Sequence, residues 1–158
     1  MNKTSKSQTK QDNSRSNHRA YAFQVLYSLN FSQSIDCLKE TYNGFLEESK
    51  LSGQDMNTFA WSIIHGVWEN LDDLDDIISQ YSRNWKLKRI AKIELTILRL
   101  SVYEMRYCQD MPLKVAINEG VELAKKFGDG NSRNFVNGIL DAVGKDIKNG
   151  KFGISKGF

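Results

Sequence analysis

Between Lys88 and Tyr107 the chain carries apolar side chains in nearly every direction around a helical axis. A helix that is apolar all round must be enclosed by other elements on most of its sides. Apolar residues also recur at helical spacing before and after this segment, and the chain has a single proline. These features predict an all-α protein in which residues 88–107 form the central helix. Because unpaired buried charges are costly, its charged residues are expected at ends, at an edge or in pairs: Glu94, Arg99 and Glu104.

Two further helices carry their own start and stop residues between Met111 and Val143. Pro112 is tolerated in the first turn of a helix, and Gly128 is expected to end that helix in the left-handed conformation. Asn131 or Ser132 is expected to cap the next helix. The predicted inward residues are Leu113, Ile117, Val121 and Ala124 in the first helix, and Phe135 or Val136, Ile139, Leu140 and Val143 in the second.

The remainder of the chain predicts four earlier helices and two loose ends. We expect a disordered basic arm over residues 1–15, a single helical domain over 16–148 and a loose tail over 149–158. The four helices are expected from Ser16 or Asn17 through Leu29, from Asp36 to Glu48, from Asp55 to Trp68, and from Leu71 to Tyr81. The buried face of the first would consist of Ala22, Val25, Leu26 and Leu29.

Positive charge is concentrated at the start of the chain. Residues 1–19 hold five basic side chains and one acidic one, a balance of +4, whereas the remainder holds 17 basic and 18 acidic side chains. A flexible basic arm that leads into a helix is suited to contacting phosphates, but it also fits a disordered, solubilising leader. Charge alone leaves both interpretations open.

The sequence offers little that resembles an active site or a metal site. The only histidines and cysteines are His18, His65, Cys37 and Cys108, which lack the spacing of a zinc site or a disulfide framework. No nucleotide-binding glycine loop or nucleophile elbow occurs. The acidic run of residues 72–76 is interpreted as a solvated helix face, and Glu119 and Glu122 as partners in surface ion pairs. We expect no enzyme activity, no cofactor and no bound metal.

The first ten residues lack the apolar segment of a secretory signal, and no apolar run approaches the roughly 18 residues of a membrane span. With two isolated cysteines, the chain is expected in a reducing cytoplasm, with no membrane association.

The start of the last helix, together with the basic arm, is the best candidate for binding RNA. A helix N-terminus attracts phosphate, and Lys125, Lys126, Arg133 and Asn134 lie near this one in the sequence. Phe135 stacks on an unpaired base if it points outward, whereas its helical spacing also fits a core position. Residue pattern alone favours the core.

Several motifs resemble the NusB family of transcription antitermination factors. The resemblance covers residues 15–147 and is strongest after about residue 90. It rests on the segments AFQVLYS (22–28), LRL with YE (98–104), PLKVAINE (112–119), ELAKKFG (122–128) and FVNGILD (135–141).

The resemblance implies a seven-helix fold of two roughly perpendicular three-helix bundles. It also implies binding of boxA-type single-stranded RNA together with the ribosomal small-subunit protein NusE, in a complex with RNA polymerase that suppresses premature termination, notably in rRNA operons. The implied RNA-binding residues are Arg15, Arg19, Arg99, Asn131, Asn134 and Phe135, and the implied NusE-binding residues are Tyr27 and Glu94. With the resemblance, an exposed, stacking Phe135 becomes the favoured interpretation.

Two positions depart from the family pattern. The first helix keeps only Arg15 and Arg19 where the family often has a dense arginine cluster, and Asn131 stands where aspartate is common. Two other functions remain open: a NusB-like accessory region related to rRNA cytosine methyltransferases, and a helical scaffold that binds only protein. A homodimer of the free protein is also compatible with the sequence.

Overall fold

A computed structural model of the chain describes residues 3–31, 40, 43–44, 54–83, 86–154 and 156–158. Over these residues it contains six α-helices and no β-strand, which confirms the all-α prediction. Short 3-10 turns occupy Leu29–Phe31, Leu87–Arg89 and Lys151–Gly153. The α-helices are α1 (Lys3–Ser28), α2 (Gln54–Glu69), α3 (Leu71–Tyr81), α4 (Lys92–Tyr107), α5 (Leu113–Phe127) and α6 (Ser132–Lys148).

The chain divides into two compact units, Met1–His65 and Gly66–Phe158. The single domain expected over residues 16–148 therefore spans parts of two units. The predicted second helix, residues 36–48, lies outside the described residues except at positions 40, 43 and 44. None of the described helices is both long enough and apolar enough to cross a membrane.

In the first unit, α1 begins earlier than the sequence predicted. It starts at Lys3 rather than at Ser16 or Asn17, so residues 3–14 have a helical backbone where a disordered arm was expected. The segment contains neither glycine nor proline, so no strong helix breaker interrupts the helix before its buried C-terminal half. The predicted inward face is confirmed, because its members are at most 7% exposed: Ala22, Val25, Leu26 and Leu29.

In the second unit, α4 is the central helix, as predicted. It packs against α3, α5 and α6, and most of its residues from Leu95 to Met105 are buried. The predicted inward residues of α5 and α6 are also buried, except Val121 and Phe135, which are half-buried.

Gly128 ends α5 at the predicted position but not by the predicted conformation. Its backbone is extended, with φ −94° and ψ −175°, rather than left-handed. The need for glycine is steric, because a Cβ there would lie 2.5 Å from the Cβ of Ser132 and 2.8 Å from the carbonyl oxygen of Ala124. Gly128 thus allows the end of α5 to approach the start of α6 closely.

The C-terminal segment was expected to be loose, but hydrogen bonds attach it to the second unit. The Lys156 ammonium donates to the carbonyl oxygens of Glu104, Met105 and Cys108, at the C-terminal end of α4. The Leu113 N–H donates to the carbonyl oxygen of Gly157. The carbonyl oxygens of Glu104 and Cys108 also accept backbone hydrogen bonds, from the N–H groups of Cys108 and Met111, so the lysine mainly adds a cation at the negative end of the helix dipole.

Candidate nucleic-acid interface

The start of α6 is capped by a residue outside the predicted pair. Asn131 occupies the N-cap position, but its side chain makes no capping hydrogen bond. Instead, the Asp129 carboxylate accepts hydrogen bonds from the backbone N–H groups of Asn131 (2.9 Å) and Ser132 (3.1 Å). These bonds hold the pKa of the Asp129 carboxyl below its usual range, and the bond from Asn131 has the largest effect.

This capping changes how α6 can attract phosphate. The backbone N–H groups of Asn131 and Ser132, which would otherwise be available to a phosphate, already donate to the carboxylate of Asp129. The negative charge of the Asp129 carboxylate also offsets the partial positive charge at this end of the helix dipole. An anion at this end would therefore depend on side chains more than on the helix N-terminus.

Two exposed amides at the start of α6, Asn131 and Asn134, lie on the same side of the helix as Phe135, and we call them the rim; Arg133, two positions before Phe135, faces away from the ring. Asn131, Arg133 and Asn134 are exposed, and Phe135 is half-buried. The two predictions for Phe135 were a core position and an exposed one, and the ring occupies an intermediate position. Amides and a guanidinium can donate to phosphate or base edges, and an accessible ring face can stack on a base.

Lys125 and Lys126, at the end of α5, are exposed and precede this region in the sequence. Lys125 forms an ion pair of 3.0 Å with Glu122, as predicted for a surface helix. Lys126 lies with its ammonium 5.4 Å from the centroid of the Phe127 ring.

Glu94, one of the two residues implied for NusE binding, contacts the start of α6 directly. Its carboxylate Oε1 accepts a hydrogen bond of 2.9 Å from the hydroxyl of Ser132, which is 3% exposed. Ser132 is also adjacent in sequence to Asn131, one of the residues implied for RNA binding. The structure therefore brings an implied NusE-binding residue next to the implied RNA-binding segment.

Arg99 forms a bidentate ion pair with Asp75 of α3. Its Nε and one terminal nitrogen lie 2.8 and 2.9 Å from the two carboxylate oxygens, and the side chains are 19% and 24% exposed. The charge of Arg99, implied to face RNA, is thus partly compensated. Of the three charged residues considered in the sequence, Arg99 is paired and Glu94 lies in the first turn of α4, as predicted, whereas Glu104 is buried within the helix.

The same contact corrects the interpretation of the acidic run as a solvated face. Asp75 pairs with Arg99, and Asp73 pairs with Arg106 at 3.0 Å and accepts a hydrogen bond from Tyr107. Asp72 and Asp76 are exposed, as expected. Pairing between positions 24 to 34 residues apart leaves no local signal in the sequence.

In the first unit, Arg15 and Arg19 share one aromatic partner, Phe59. Their guanidinium carbons lie 5.1 and 5.4 Å from the centroid of its ring. Arg15 is exposed, whereas Arg19 is only 2% exposed. The two arginines therefore differ in exposure: Arg15 is accessible to solvent, whereas Arg19 is part of the packing around Phe59.

His18 completes the packing around Phe59. Its ring centroid lies 5.7 Å from that of Phe59, it is 3% exposed, and neither ring nitrogen has a hydrogen-bond partner among the described residues. Burial lowers the pKa of His18, and the nearby charges of Arg19 and Arg15 lower it further. Sequence reasoning placed Phe59 in the helix expected from Asp55 to Trp68 but did not connect it with Arg15 and Arg19.

Tyr27, the other residue implied for NusE binding, is half-buried at the C-terminal end of α1. Its ring stacks on Phe23 with centroids 5.9 Å apart and meets Phe31 edge to face at 5.7 Å. Phe31 is 66% exposed, so an apolar ring next to Tyr27 is accessible to a partner. Sequence reasoning did not single out Phe31.

Comparisons with known proteins point to one family. The model of the NusB family matches residues 16–145. The transcription antitermination protein NusB of Oleidesulfovibrio alaskensis is 54% identical over 142 residues, covering 88% of this chain and 92% of that protein. Among solved structures, T. maritima NusB is 36% identical, with a TM-score of 0.76 over 84% of this chain and 91% of that one.

A further solved structure is a complex. It contains the antitermination factors NusB and NusE with double-stranded RNA, and the matching chain is 26% identical to the present one. The TM-score is 0.76, over 84% of this chain and 97% of that one.

Proposed function

Because the chain belongs to the NusB family of transcription antitermination proteins, we propose that it is an RNA-binding antitermination factor that acts together with NusE. Its relatives are antitermination factors rather than enzymes, so no catalytic step is involved. The observation that carries RNA binding is the pair of exposed amides, Asn131 and Asn134, on the same side of α6 as the half-buried ring of Phe135. A complex of NusB, NusE and RNA among the similar structures supports both partners.

At a finer level, the proposed ligand is a boxA-type single-stranded RNA. The proposed setting is an RNA polymerase complex in the cytoplasm that suppresses premature termination, notably in rRNA operons. We also propose the family's seven-helix arrangement of two three-helix bundles, with its additional helix in residues 36–48. The free protein is proposed to form a homodimer when NusE is absent.

The side chains have different proposed roles. Asn131, Asn134 and Phe135 contact the RNA directly, and Arg15 contacts its phosphates, because all four are at least partly accessible. Arg19 acts as a positioning residue through Phe59, since it is buried. Arg99 contributes through a guanidinium that Asp75 holds in place.

NusE is proposed to contact Tyr27 and Glu94. Phe31 adds an exposed ring beside Tyr27, and Glu94 adds a carboxylate beside the rim of α6. Since Glu94 touches Ser132, bound NusE would stabilise the start of α6 in the conformation that contacts RNA. This arrangement predicts weak binding of RNA by the protein alone and tighter binding with NusE.

One titration series tests the proposal. A boxA-like RNA and a scrambled RNA of equal length are titrated with the protein at fixed salt, with and without NusE. We expect preference for boxA and higher affinity when NusE is present. Equal affinity for both RNAs in both conditions would contradict the proposal.

A scaffold that binds only protein is the second candidate. The observations that favour it are the burial of Arg19 and the pairing of Arg99 with Asp75, which leave fewer cations for phosphate. A protein-only scaffold would bind NusE but neither of the two RNAs. For the accessory-region alternative, calorimetry measures whether this chain binds S-adenosylmethionine, and the proposed function expects no binding.

A further inference from the structure

A cavity of about 730 Å³ lies between the C-terminal end of α3 and the 3-10 turn Leu87–Arg89. Its size falls within the range of about 300–1,000 Å³ that is typical of ligand pockets. No acidic side chain occurs among its described lining residues, and four exposed cations line it: Arg83, Lys86, Lys88 and Arg89. The cavity therefore has the charge of an anion site.

A buried hydroxyl without a partner also lines this cavity. Ser82 is 7% exposed, and its Oγ has no hydrogen-bond partner among the described residues. Leaving a buried polar group unsatisfied is unfavourable, so an occupant that accepts a hydrogen bond would stabilise this position. A phosphate oxygen is such an acceptor, and its charge matches the surrounding cations.

The end of α3 does not account for this amount of positive charge. A helix C-terminus carries the equivalent of about half a negative elementary charge, which one nearby cation already balances. Lys88 and Arg89 belong to the following 3-10 turn rather than to the end of α3. The positive charge around the cavity is therefore larger than the end of α3 alone would attract.

The cavity continues the surface that carries Arg99. Ser79, which lines the cavity, donates a hydrogen bond of 2.8 Å to the carbonyl oxygen of Asp75. Asp75 in turn holds the guanidinium of Arg99. Residues four apart on a helix are separated by about 6 Å along its axis, so the cavity begins about one turn from the Arg99 ion pair.

We propose that this cavity binds phosphate groups of an RNA strand that extends beyond the segment contacted at the start of α6. The proposal rests on the proposed function as an RNA-binding protein and adds a second contact region to it. Arg83, Lys86, Lys88 and Arg89 neutralise the phosphates, and the Ser82 hydroxyl donates to one phosphate oxygen. The site reads charge and shape, not base sequence.

The test compares two RNAs: a short boxA-like strand, and the same strand extended on both sides. The variant Lys86→Ala/Arg89→Ala removes two charges from the cavity, and Lys114→Ala/Lys148→Ala removes two exposed charges elsewhere. For the extended RNA, we expect the slope of log affinity against log salt to become shallower by about 1.4 in the cavity variant only, at about 0.7 per lost phosphate contact. The short RNA should bind both variants alike.

A second variant, Ser82→Ala, keeps every charge and removes only the hydroxyl. We expect about tenfold weaker binding of the extended RNA, because a hydrogen bond to a charged oxygen is lost, with no loss of thermal stability.

Three results would overturn the inference. In the first, the cavity variants bind extended RNA like the control double variant while Phe135→Ala still weakens the short RNA, which leaves the proposed function standing. In the second, the cavity variants lose NusE binding instead, and the cavity is then a protein contact. In the third, the unaltered protein binds neither RNA, which removes the proposed function as well.

Discussion

The hydroxyl of Ser132 donates a 2.9 Å hydrogen bond to the carboxylate of Glu94, joining the first turn of α6 to the first turn of α4. Ser132 is 3% exposed, and Glu94 is half-buried. This bond links a residue proposed for NusE binding to the segment proposed for RNA binding. A change at either residue can therefore affect both partners.

Glu94→Lys is predicted to weaken NusE binding by at least tenfold. The substitution reverses a charge on the proposed contact surface and removes the acceptor of the Ser132 bond. Ser132→Ala is the matched control, because it removes the same bond without changing the surface charge. It should lower the free energy of unfolding by about 1–2 kcal/mol, as expected for a lost hydrogen bond and an unsatisfied partner, and weaken NusE binding less than Glu94→Lys does. If both variants weaken NusE binding equally, Glu94 acts only through the local structure.

Phe135→Ala is predicted to weaken RNA binding by about 1–3 kcal/mol, or roughly 5- to 150-fold, the range for loss of one stacked base. Because the ring is half-buried, the free energy of unfolding should fall by about 1–2 kcal/mol, less than the 3–5 kcal/mol of a fully buried ring. Phe135→Leu keeps most of the apolar contact and loses the aromatic face. If the leucine variant binds RNA as tightly as the original protein, Phe135 does not stack on a base.

Arg15→Ala and Arg19→Ala are predicted to have opposite profiles. Arg15 is exposed, so its loss should make the salt slope of RNA binding shallower by about 0.7 and leave thermal stability nearly unchanged. Arg19 is buried over Phe59, so its loss should lower the free energy of unfolding by about 2 kcal/mol, the value for a desolvated cation–π contact. Titrations at several salt concentrations and chemical denaturation measure the two effects. Equal salt slopes for the two variants would contradict the distinction.

The Asp129 cap is predicted to make the start of α6 sensitive to acid. The folded-state pKa of Asp129 lies below its usual value, so the stabilisation is complete above about pH 4–5, near the ordinary carboxyl pKa of about 3.9, and is lost as the pH falls through the folded-state value. Asp129→Ala should therefore lower the melting temperature at pH 7 more than at pH 2.5. Thermal unfolding of both proteins across this range measures the difference. A difference that does not depend on pH would mean that the carboxylate does not cap α6 in solution.

Local patterns in the sequence were sufficient to predict the helices of the second unit. The all-round apolar character of residues 92–107 places α4 at the centre, and Pro112 and Gly128 bound α5 at the predicted positions, although Gly128 is required for steric reasons and not for a left-handed backbone. The predicted start of α1 was wrong because residues 3–14 have no apolar side chains, so they show no hydrophobic periodicity from which a helix could be predicted. The site contacts depend on chain reversal: Glu94 and Ser132 are 38 positions apart, and Arg99 and Asp75 are 24 apart.

The predicted cap of α6, Asn131 or Ser132, lay two or three residues from the observed one, Asp129. Asp129, Asn131 and Ser132 all have side chains that cap helices, and only the first has the geometry to accept from the other two. Choosing among adjacent capping residues requires the backbone angles, which the sequence does not specify. The attachment of Lys156 to the end of α4 gave no signal either, because a lysine in a glycine-rich tail is typical of an unstructured end.

The close approach of Gly128 to Ser132 makes a position with no functional group a point of mutational vulnerability. An alanine there would push Ser132 away from Glu94 and from the loop carrying Asp129, although it alters neither partner surface. Selection for two distinct interactions would then act on a single residue that contacts neither ligand. Loss-of-function alleles should accordingly include changes at position 128 that reduce NusE and RNA binding together.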